Sequence, residues 1–142
     1  MTMKDRVEKA VELFKSGYNC SQSVVAAFAD MYGFTQEQAL RMSASFGGGI
    51  GRMRQTCGAA CGMFLLAGLE KGAVDGKDRE GKAANYALVQ QLAEEFRKRN
   101  GSMICAELLG LKKPEGSSTP EARTEQYYAC LLYTSDAADD LT

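Results

Sequence analysis

The sequence predicts an all-α protein, a small bundle of about six helices with a glycine-rich turn before the fourth. Apolar residues recur at spacings of three and four in successive segments, which is typical of helices that bury one stripe. No segment alternates apolar and polar residues over the length of a strand. Polar caps and glycines separate the stripes, so each stripe is assigned to its own helix.

The first three helices are delimited by capping residues. The first stripe covers residues 4–15. Asn19 is a good N-cap for a second helix, whose inner face begins with Cys20. Thr35 and Gln38 have the spacing of a capping box at the start of the third helix. This assignment places the thiol of Cys20 in the first turn of a helix, pointing inward.

Residues 46–72 are the stretch around which we expect the chain to be organised. Glycines at such density cannot hold a regular element, because each loses more backbone freedom on ordering than any other residue, so the chain must turn here. Thr56 is then predicted to cap the fourth helix and Cys57 to be its first residue, at the positive end of the helix dipole. The glycines of the turn are Gly47, Gly48, Gly49 and Gly51.

Small residues surround Cys57 and Cys61 in the fourth helix. They lower helix propensity, so we interpret them as clearance for another backbone or for a ligand. On this interpretation, the residues of the fourth helix that would line a cofactor or a partner's sulfur are Gly58, Ala59 and Gly62.

The last two helices follow a polar loop. A fifth helix is predicted over residues 79–98. Ser102 is predicted to cap a short sixth helix, in which Cys105 is the third residue. Residues 111–120 are rich in Lys, Pro, Gly and Ser, which indicates a loop. The fifth helix is predicted to bury Ala83, Tyr86, Val89, Leu92, Ala93 and Phe96.

Length and charge exclude several classes of protein. At 142 residues the chain is expected to form one domain with a sizeable core. A net charge of −1 provides no basic surface for DNA or RNA. No run approaches the ~18 apolar residues needed to cross a bilayer, and the charged N-terminus is not that of a signal peptide. We therefore expect a cytoplasmic protein with no nucleic-acid partner and no membrane span.

Five cysteines and no histidine restrict the chemistry. In a reducing compartment, cysteines are better candidates for metal ligands or thiol redox chemistry than for permanent disulfides. The absence of histidine excludes His-containing zinc sites, Cys-His nucleophile pairs and the Ser-His-Asp triad. Any chemistry must therefore use thiols, carboxylates, tyrosines or a bound cofactor.

Three cysteines lie in the first turns of predicted helices, namely Cys20, Cys57 and Cys105. Free amides and the helix dipole favour negative charge there, so the pKa of each thiol is expected below the ordinary value of about 8.5. Arg52 and Arg54 precede Cys57 and act in the same direction. They are also candidates for holding an anion or a cofactor at the start of the fourth helix. Cys57 is therefore expected to have the lowest pKa of the three.

The spacing of Cys57 and Cys61 places them one turn apart on one face. Their β-carbons lie about 5–6 Å apart in an intact helix, whereas a disulfide requires about 3.5–4.5 Å. A disulfide between them is therefore disfavoured. For Cys61 a metal ligand, a thiol that exchanges with another cysteine and a core residue all remain open.

Three motifs resemble those of a known family. They are YNCSQSVVAAF around Cys20, FGGGIG followed by TCGAACG around Cys57, and CAELLG at Cys105. In this order they are similar to the C-GCAxxG-C-C family of redox-active bacterial proteins. The resemblance implies a small helical protein with four family cysteines, of which these are the first three. Cys61 stands at a variable position of the second motif, so the resemblance gives it no role.

The C-terminal residues are a separate case. Residues 130–142 have no helical stripe and resemble the translation of a transposon-type sequencing adapter. We therefore expect one native helical domain over residues 1–129. Cys130 matches the fourth family cysteine in order but not in context, because no apolar helix follows it.

Three functions remain open from the sequence. The first is that of a thiol–disulfide oxidoreductase, in which Cys57 attacks and Cys20 or Cys105 resolves. Its partner would be a redox protein or a small thiol or disulfide. The second is an electron-transfer module with an iron–sulfur cluster or zinc, and the third is an interaction protein whose cysteines only pack. A homo-oligomer is also open. The metal ligands on the second reading would be Cys20, Cys57, Cys105 and a fourth thiolate, for which Cys61 is a candidate.

Overall fold

The computed structural model describes residues 1–110 of the chain. These residues contain six α-helices and no β-strand, which confirms the predicted all-α class. The predicted loop at residues 111–120, Cys130 and the adapter-like residues 130–142 lie outside the described residues. The helices are α1 (Met3–Lys15), α2 (Cys20–Phe28), α3 (Gln36–Ser43), α4 (Gly58–Lys71), α5 (Arg79–Asn100) and α6 (Cys105–Leu108).

Helix α2 lies at the centre of the bundle. It packs against α1, α3 and α4, while α5 packs against α4. We expected residues 46–72 to organise the chain, but the structure gives this place to α2, since it contacts three other helices. Neighbours enclose α2 so completely that most of its residues are buried. These are Ser21, Ser23, Val24, Val25, Ala26, Ala27 and Phe28.

The predicted starts of α2 and α3 are confirmed. The Asn19 side chain accepts a hydrogen bond from the Gln22 amide at 2.9 Å, and the Gln22 side chain accepts one from the Asn19 amide. Thr35 and Gln38 form the same reciprocal arrangement at the start of α3. Each helix start therefore satisfies its first amides locally. The 3₁₀ helices that follow α2 and α3 are Ala29–Tyr32 and Ala44–Phe46.

Helix α5 is buried only along its second half. Leu92, Ala93 and Phe96 are buried, as predicted. Tyr86 is 61% exposed and Ala83 is also exposed, so the predicted burial of these two residues is wrong. No residue between 79 and 87 is buried, because the start of this long helix extends beyond the core that its second half covers. None of the described helices, α5 included, is both long and apolar enough to cross a membrane.

A buried arginine ties α1 to the end of α2. The Arg6 guanidinium donates to the Ala27 carbonyl at 3.0 Å, which satisfies an acceptor at the C-terminal end of α2. It also pairs with both carboxylate oxygens of Asp30, at 2.6 and 3.3 Å. The guanidinium carbon lies 5.9 Å from the centre of the Phe28 ring. Arg6 thus fixes the two helices against each other.

Candidate functional site

The glycine-rich turn is a left-handed loop. Five consecutive residues have positive φ angles between 56° and 76°, and Arg54 shares this conformation with φ 61°. Glycine adopts it at little steric cost, which explains the glycine run. The amide of Arg54 donates to the Gly48 carbonyl at 3.1 Å, and the amide of Gln55 donates to the Gly49 carbonyl at 2.9 Å. The loop therefore folds back on itself before α4. Its five left-handed residues are Gly48, Gly49, Ile50, Gly51 and Arg52.

An antiparallel bridge between Thr56 and Ile104 joins the starts of α4 and α6. The Cys57 amide donates to the Met103 carbonyl at 2.6 Å. In return, the Cys105 amide donates to the Gln55 carbonyl, also at 2.6 Å. The bridged pair is thus the non-hydrogen-bonded pair of a short ladder.

The bridge places two cysteines on the same side. Side chains alternate along extended backbone, so Cys57 and Cys105 both point away from the side of Thr56 and Ile104. Burial agrees with this, since Ile104 is 36% exposed whereas Cys57 and Cys105 are 6% and 8% exposed. The two thiols are diagonal neighbours across the ladder, a relation that puts β-carbons roughly 7–8 Å apart or somewhat less.

The cysteines stand at helix starts, but two predicted caps are wrong. Cys57 itself is the N-cap of α4, which begins at Gly58, because Thr56 is engaged in the bridge to Ile104. Ile104 is the N-cap of α6, and Cys105 is its first residue rather than its third. Ser102 does not cap this helix. Its hydroxyl accepts from the Ile104 amide at 2.9 Å and donates to the Glu107 carboxylate.

Burial overturns the expected pKa of Cys57. Desolvation raises the pKa of this thiol to about 12, and the neighbouring thiols of Cys105 and Cys61 act in the same direction. The amides of Ala60 and Ala59 favour the thiolate, as expected at a helix start, but their effect is smaller than that of burial. Cys57 is therefore a protonated thiol at neutral pH. The prediction that it has the lowest pKa is wrong.

Cys61 lies one turn further along α4. Its amide donates to the Cys57 carbonyl at 2.9 Å, which is the ordinary helical bond. Its thiol lies 3.8 Å from the Thr56 carbonyl. Burial raises the pKa of Cys61 to about 11. Cys20, Cys57, Cys61 and Cys105 are free cysteines in the structure, and the disfavoured disulfide within α4 stays a prediction.

Arg54 contacts a different thiol from the one expected. Its Nη1 lies 3.5 Å from the Cys105 Sγ, and the residue is only 1% exposed. The sequence placed Arg52 and Arg54 beside Cys57 because they precede it directly. The left-handed loop instead turns the Arg54 side chain towards α6. The guanidinium of Arg54 therefore lies beside the thiol of Cys105.

The glycines of α4 make room for protein. A β-carbon at Gly58 would lie 2.8 Å from the Phe46 carbonyl oxygen and 3.3 Å from the Ser21 nitrogen. A β-carbon at Gly62 would lie 3.2 Å from the Val24 Cβ and 3.3 Å from the Ser21 oxygen. The backbone of α2 therefore occupies the clearance that we predicted. A cofactor role for Gly58, Ala59, Gly62, Arg52 and Arg54 stays a prediction.

This close approach also brings Cys20 to the site. Ser21 follows Cys20 and Gly58 follows Cys57, so the contact between Ser21 and Gly58 joins the starts of the two helices. Cys20 is the first residue of α2, packs against the core cluster that contains Cys57, and is partly exposed. It is the most accessible cysteine in residues 1–110.

The described residues provide no complete metal site. Within residues 1–110, no group of three or more His, Cys, Asp or Glu side chains is arranged to hold a metal ion. Structural zinc and iron–sulfur clusters generally require four such ligands. The described cysteines therefore do not fit such a group by themselves, and Cys130 lies outside the described part of the chain. An iron–sulfur cluster or zinc stays a prediction.

Sequence reasoning missed two contributors to the site. Gly49 adjoins Cys105, because a β-carbon at residue 49 would lie 2.5 Å from the Cys105 Cβ. The glycine run signalled a turn but not the surface against which it packs. The bridge through Thr56 and Ile104 was also missed, because a single pair is too short to show an alternating pattern.

The chain matches the model of a known protein family. The family model described as "Putative redox-active protein (C_GCAxxG_C_C)" matches residues 18–142. The matched range includes all the cysteines at the starts of α2, α4 and α6. No curated protein and no solved structure matches the chain.

Proposed function

The chain belongs to the C_GCAxxG_C_C family, and on that premise we propose that it is a thiol redox protein whose Cys57 and Cys105 interconvert between two thiols and one disulfide. The observation that carries the proposal is the bridge between Thr56 and Ile104, since it sets both cysteines on one side of a short ladder. To form a disulfide, a shift of either helix start would have to bring the β-carbons from the roughly 7–8 Å of diagonal neighbours to about 3.5–4.5 Å.

The environment of the pair favours reversible chemistry over simple packing. Burial raises the pKa of Cys57, and the thiols of Cys105 and Cys61 add to this rise, so the three sulfurs lie close enough to interact electrostatically. A disulfide replaces two buried thiols with one apolar group. Neighbouring protein encloses the pair, which protects a disulfide from indiscriminate exchange.

The sequence predicts that Cys57 is the attacking thiol, but we assign this role to Cys20. A protonated, buried thiol is a poor nucleophile, because the thiolate is the reactive form. Cys20 is the more accessible cysteine and stands next to the α2–α4 contact. We assign it the exchange with a thiol or disulfide partner, while Cys57 and Cys105 store the two electrons.

The exchange balances as follows. The Cys20 thiolate attacks a partner disulfide, forms a mixed disulfide and expels one partner thiolate. A thiol of the buried pair then attacks the Cys20 sulfur and releases the second partner thiolate, with loss of its own proton. The remaining thiol of the pair displaces Cys20. In total, two thiols of this chain become one disulfide and the partner disulfide becomes two thiols.

Thiol mapping tests the proposal. The reduced full-length chain is treated with oxidised glutathione, blocked with N-ethylmaleimide and digested with trypsin. We expect two thiols to be lost per chain, restored by dithiothreitol, and a disulfide link between the tryptic peptides 55–71 and 100–112. Peptide 55–71 contains both Cys57 and Cys61, so the link must survive in Cys61→Ser and vanish in Cys57→Ser.

The same preparation also tests the alternative functions. A link that disappears in Cys61→Ser would contradict the assignment of the pair. Stoichiometric iron or zinc after anaerobic purification, with the visible absorbance of a cluster in the case of iron, would favour the metal-binding alternative. If oxidation changes no thiol and Cys57→Ser alters only the melting temperature, the cysteines only pack.

A further inference from the structure

Two backbone hydrogen bonds, one through its amide and one through its carbonyl, hold Arg54 beside Cys105. Its amide donates to the Gly48 carbonyl at 3.1 Å, and its own carbonyl accepts from the Ala106 amide at 3.3 Å. The backbone between the loop and α6 is therefore fixed. Nη1 lies 3.5 Å from the Cys105 Sγ, and only 1% of Arg54 is exposed. The contact is thus a fixed cation beside a buried sulfur.

The burial of the pair limits which oxidant can reach it. Only 6% of Cys57 and 8% of Cys105 are exposed. A protein disulfide must bring a bulky chain into line with the attacking sulfur, so it cannot engage either thiol without local opening. An oxidant of little more than the size of water needs a far smaller opening than a protein disulfide does.

From the Arg54–Cys105 contact and the burial of both thiols, we propose that a small hydroperoxide, with hydrogen peroxide as the simplest case, oxidises the pair directly at Cys105. The inference rests on the proposed function, because it names the oxidant of the same two thiols. The contact between Arg54 and the reacting sulfur gives this arginine a direct catalytic role.

The reaction proceeds in two balanced steps. The Cys105 thiolate attacks one peroxide oxygen, the O–O bond breaks, and the products are Cys105 sulfenic acid and hydroxide. Hydroxide takes up the proton that Cys105 lost and becomes water. The Cys57 thiol then attacks the sulfenic sulfur, and its proton leaves with the hydroxyl group as a second water. The disulfide holds the pair oxidised, and a thiol partner that acts through Cys20 reduces it.

The guanidinium of Arg54 lies beside the Cys105 sulfur. During the attack, negative charge passes from this sulfur to the departing oxygen. A fixed guanidinium in a site with little water stabilises both without having to reorient. In the second step the Cys57 thiol supplies the proton that the leaving hydroxyl group needs, since burial keeps this thiol protonated.

Trapping the intermediate tests the site of attack. In Cys57→Ser the sulfenic acid lacks the Cys57 thiol that resolves it, so dimedone added with hydrogen peroxide is expected to label Cys105. The label is read by mass spectrometry of peptide 100–112. A label confined to Cys20 would overturn the proposal, and this reading does not depend on any arginine variant.

Kinetics test the role of Arg54. We expect Arg54→Met to slow peroxide-dependent loss of the Cys57 and Cys105 thiols by at least about tenfold, as for other removed charge-stabilising donors. Arg54→Lys, which keeps the charge, is expected to recover part of the rate. Arg6→Met is the matched control, because it removes another buried arginine that pairs with Asp30, and its rate should equal that of the wild type. An unchanged rate in Arg54→Met, with folding verified by circular dichroism, would overturn the role of Arg54.

The oxidants separate this inference from the proposed function. If oxidised glutathione forms the Cys57–Cys105 disulfide and hydrogen peroxide at equal concentration does not, the proposed function stands and the peroxide inference fails. If neither reagent forms the disulfide, the proposed function fails as well.

Discussion

The α-carbon of Gly49 lies directly against the side chain of Cys105. A β-carbon at residue 49 would stand 2.5 Å from the Cys105 Cβ and 2.8 Å from the α-carbon of Arg54. One glycine of the left-handed loop therefore sets both the position of the thiol and the course of the backbone that brings Arg54 to it. This contact connects the glycine run to the chemistry of the site.

Gly49→Ala is expected to destabilise the protein and to disturb the Arg54–Cys105 contact. Alanine at φ +76° costs roughly 1–2 kcal/mol, and the added methyl group must also displace backbone. Gly33→Ala is the matched control, because Gly33 has φ +82° and open space where the methyl group would lie. Urea unfolding should show a larger loss for Gly49→Ala. Equal losses would mean that the contact with Cys105 contributes nothing.

The glycines of α4 give a second prediction. Gly58→Ala and Gly62→Ala are expected to lower the free energy of unfolding, because their methyl groups would meet the Phe46 carbonyl and Val24. Gly68→Ala on the same helix meets nothing within 4 Å and should stabilise by about 0.5–1 kcal/mol through helix propensity. Thermal melts of the three variants provide the comparison. A stabilised Gly62→Ala would contradict the close packing of α2 on α4.

Local signals in the sequence were sufficient for much of the fold. The capping box of Thr35 and Gln38 was predictable, because its two hydrogen bonds join residues three positions apart. The same locality placed Cys20 at the start of α2, directly after its cap Asn19. The density of glycines predicted the turn before α4 for the same reason, since each glycine indicates the conformation of its own backbone.

The chemistry of the site depends on contacts that no local pattern reveals. Arg54 and Cys105 are 51 residues apart, so sequence order paired Arg54 with the adjacent Cys57 instead. The prediction of a low pKa for Cys57 failed for the same reason. A helix start favours the thiolate, but the surrounding helices bury the group, and desolvation outweighs two amides.

The pair of Arg6 and Asp30 predicts acid sensitivity. The hydrogen bond that Arg6 donates to Asp30 holds the pKa of this carboxyl group below its ordinary value of 3.8, although partial desolvation opposes this. A lowered folded-state pKa gives stability that is present above about pH 4 and is lost as the pH falls through the folded-state pKa. Asp30→Asn should flatten this part of the stability curve, measured by thermal melts from neutral to acidic pH.

A surface pair controls for general acid effects. Glu37 and Arg41 form an ion pair one turn apart on α3, with both side chains well exposed. Such pairs contribute about 0.3–0.5 kcal/mol, so Glu37→Gln should change the acid profile little. If it flattens the curve as much as Asp30→Asn does, the link between α1 and α2 is not the source of the sensitivity.

The buried thiols predict a loss of stability at alkaline pH. Burial raises the pKa of Cys57 to about 12 in the folded chain. The unfolded chain therefore loses this proton first, and the contribution of Cys57 is intact below about pH 9 and declines as the pH rises towards 12. Cys57→Ala should reduce the slope of stability against pH in this window. The measurement is urea unfolding under a non-thiol reductant, which keeps oxidation from mimicking the effect.

Tyr32 titrates in the same range and must be separated. Desolvation and its hydrogen bond to Glu70 raise the pKa of Tyr32 to about 12, so Tyr32→Phe should remove an independent part of the slope. Because the two groups lie on different elements, the double variant with Cys57→Ala should lose both parts additively. A slope that Cys57→Ala leaves unchanged would show that the thiol is not desolvated in the folded protein. Cys57 would then regain the role of attacking nucleophile, for which the sequence first marked it.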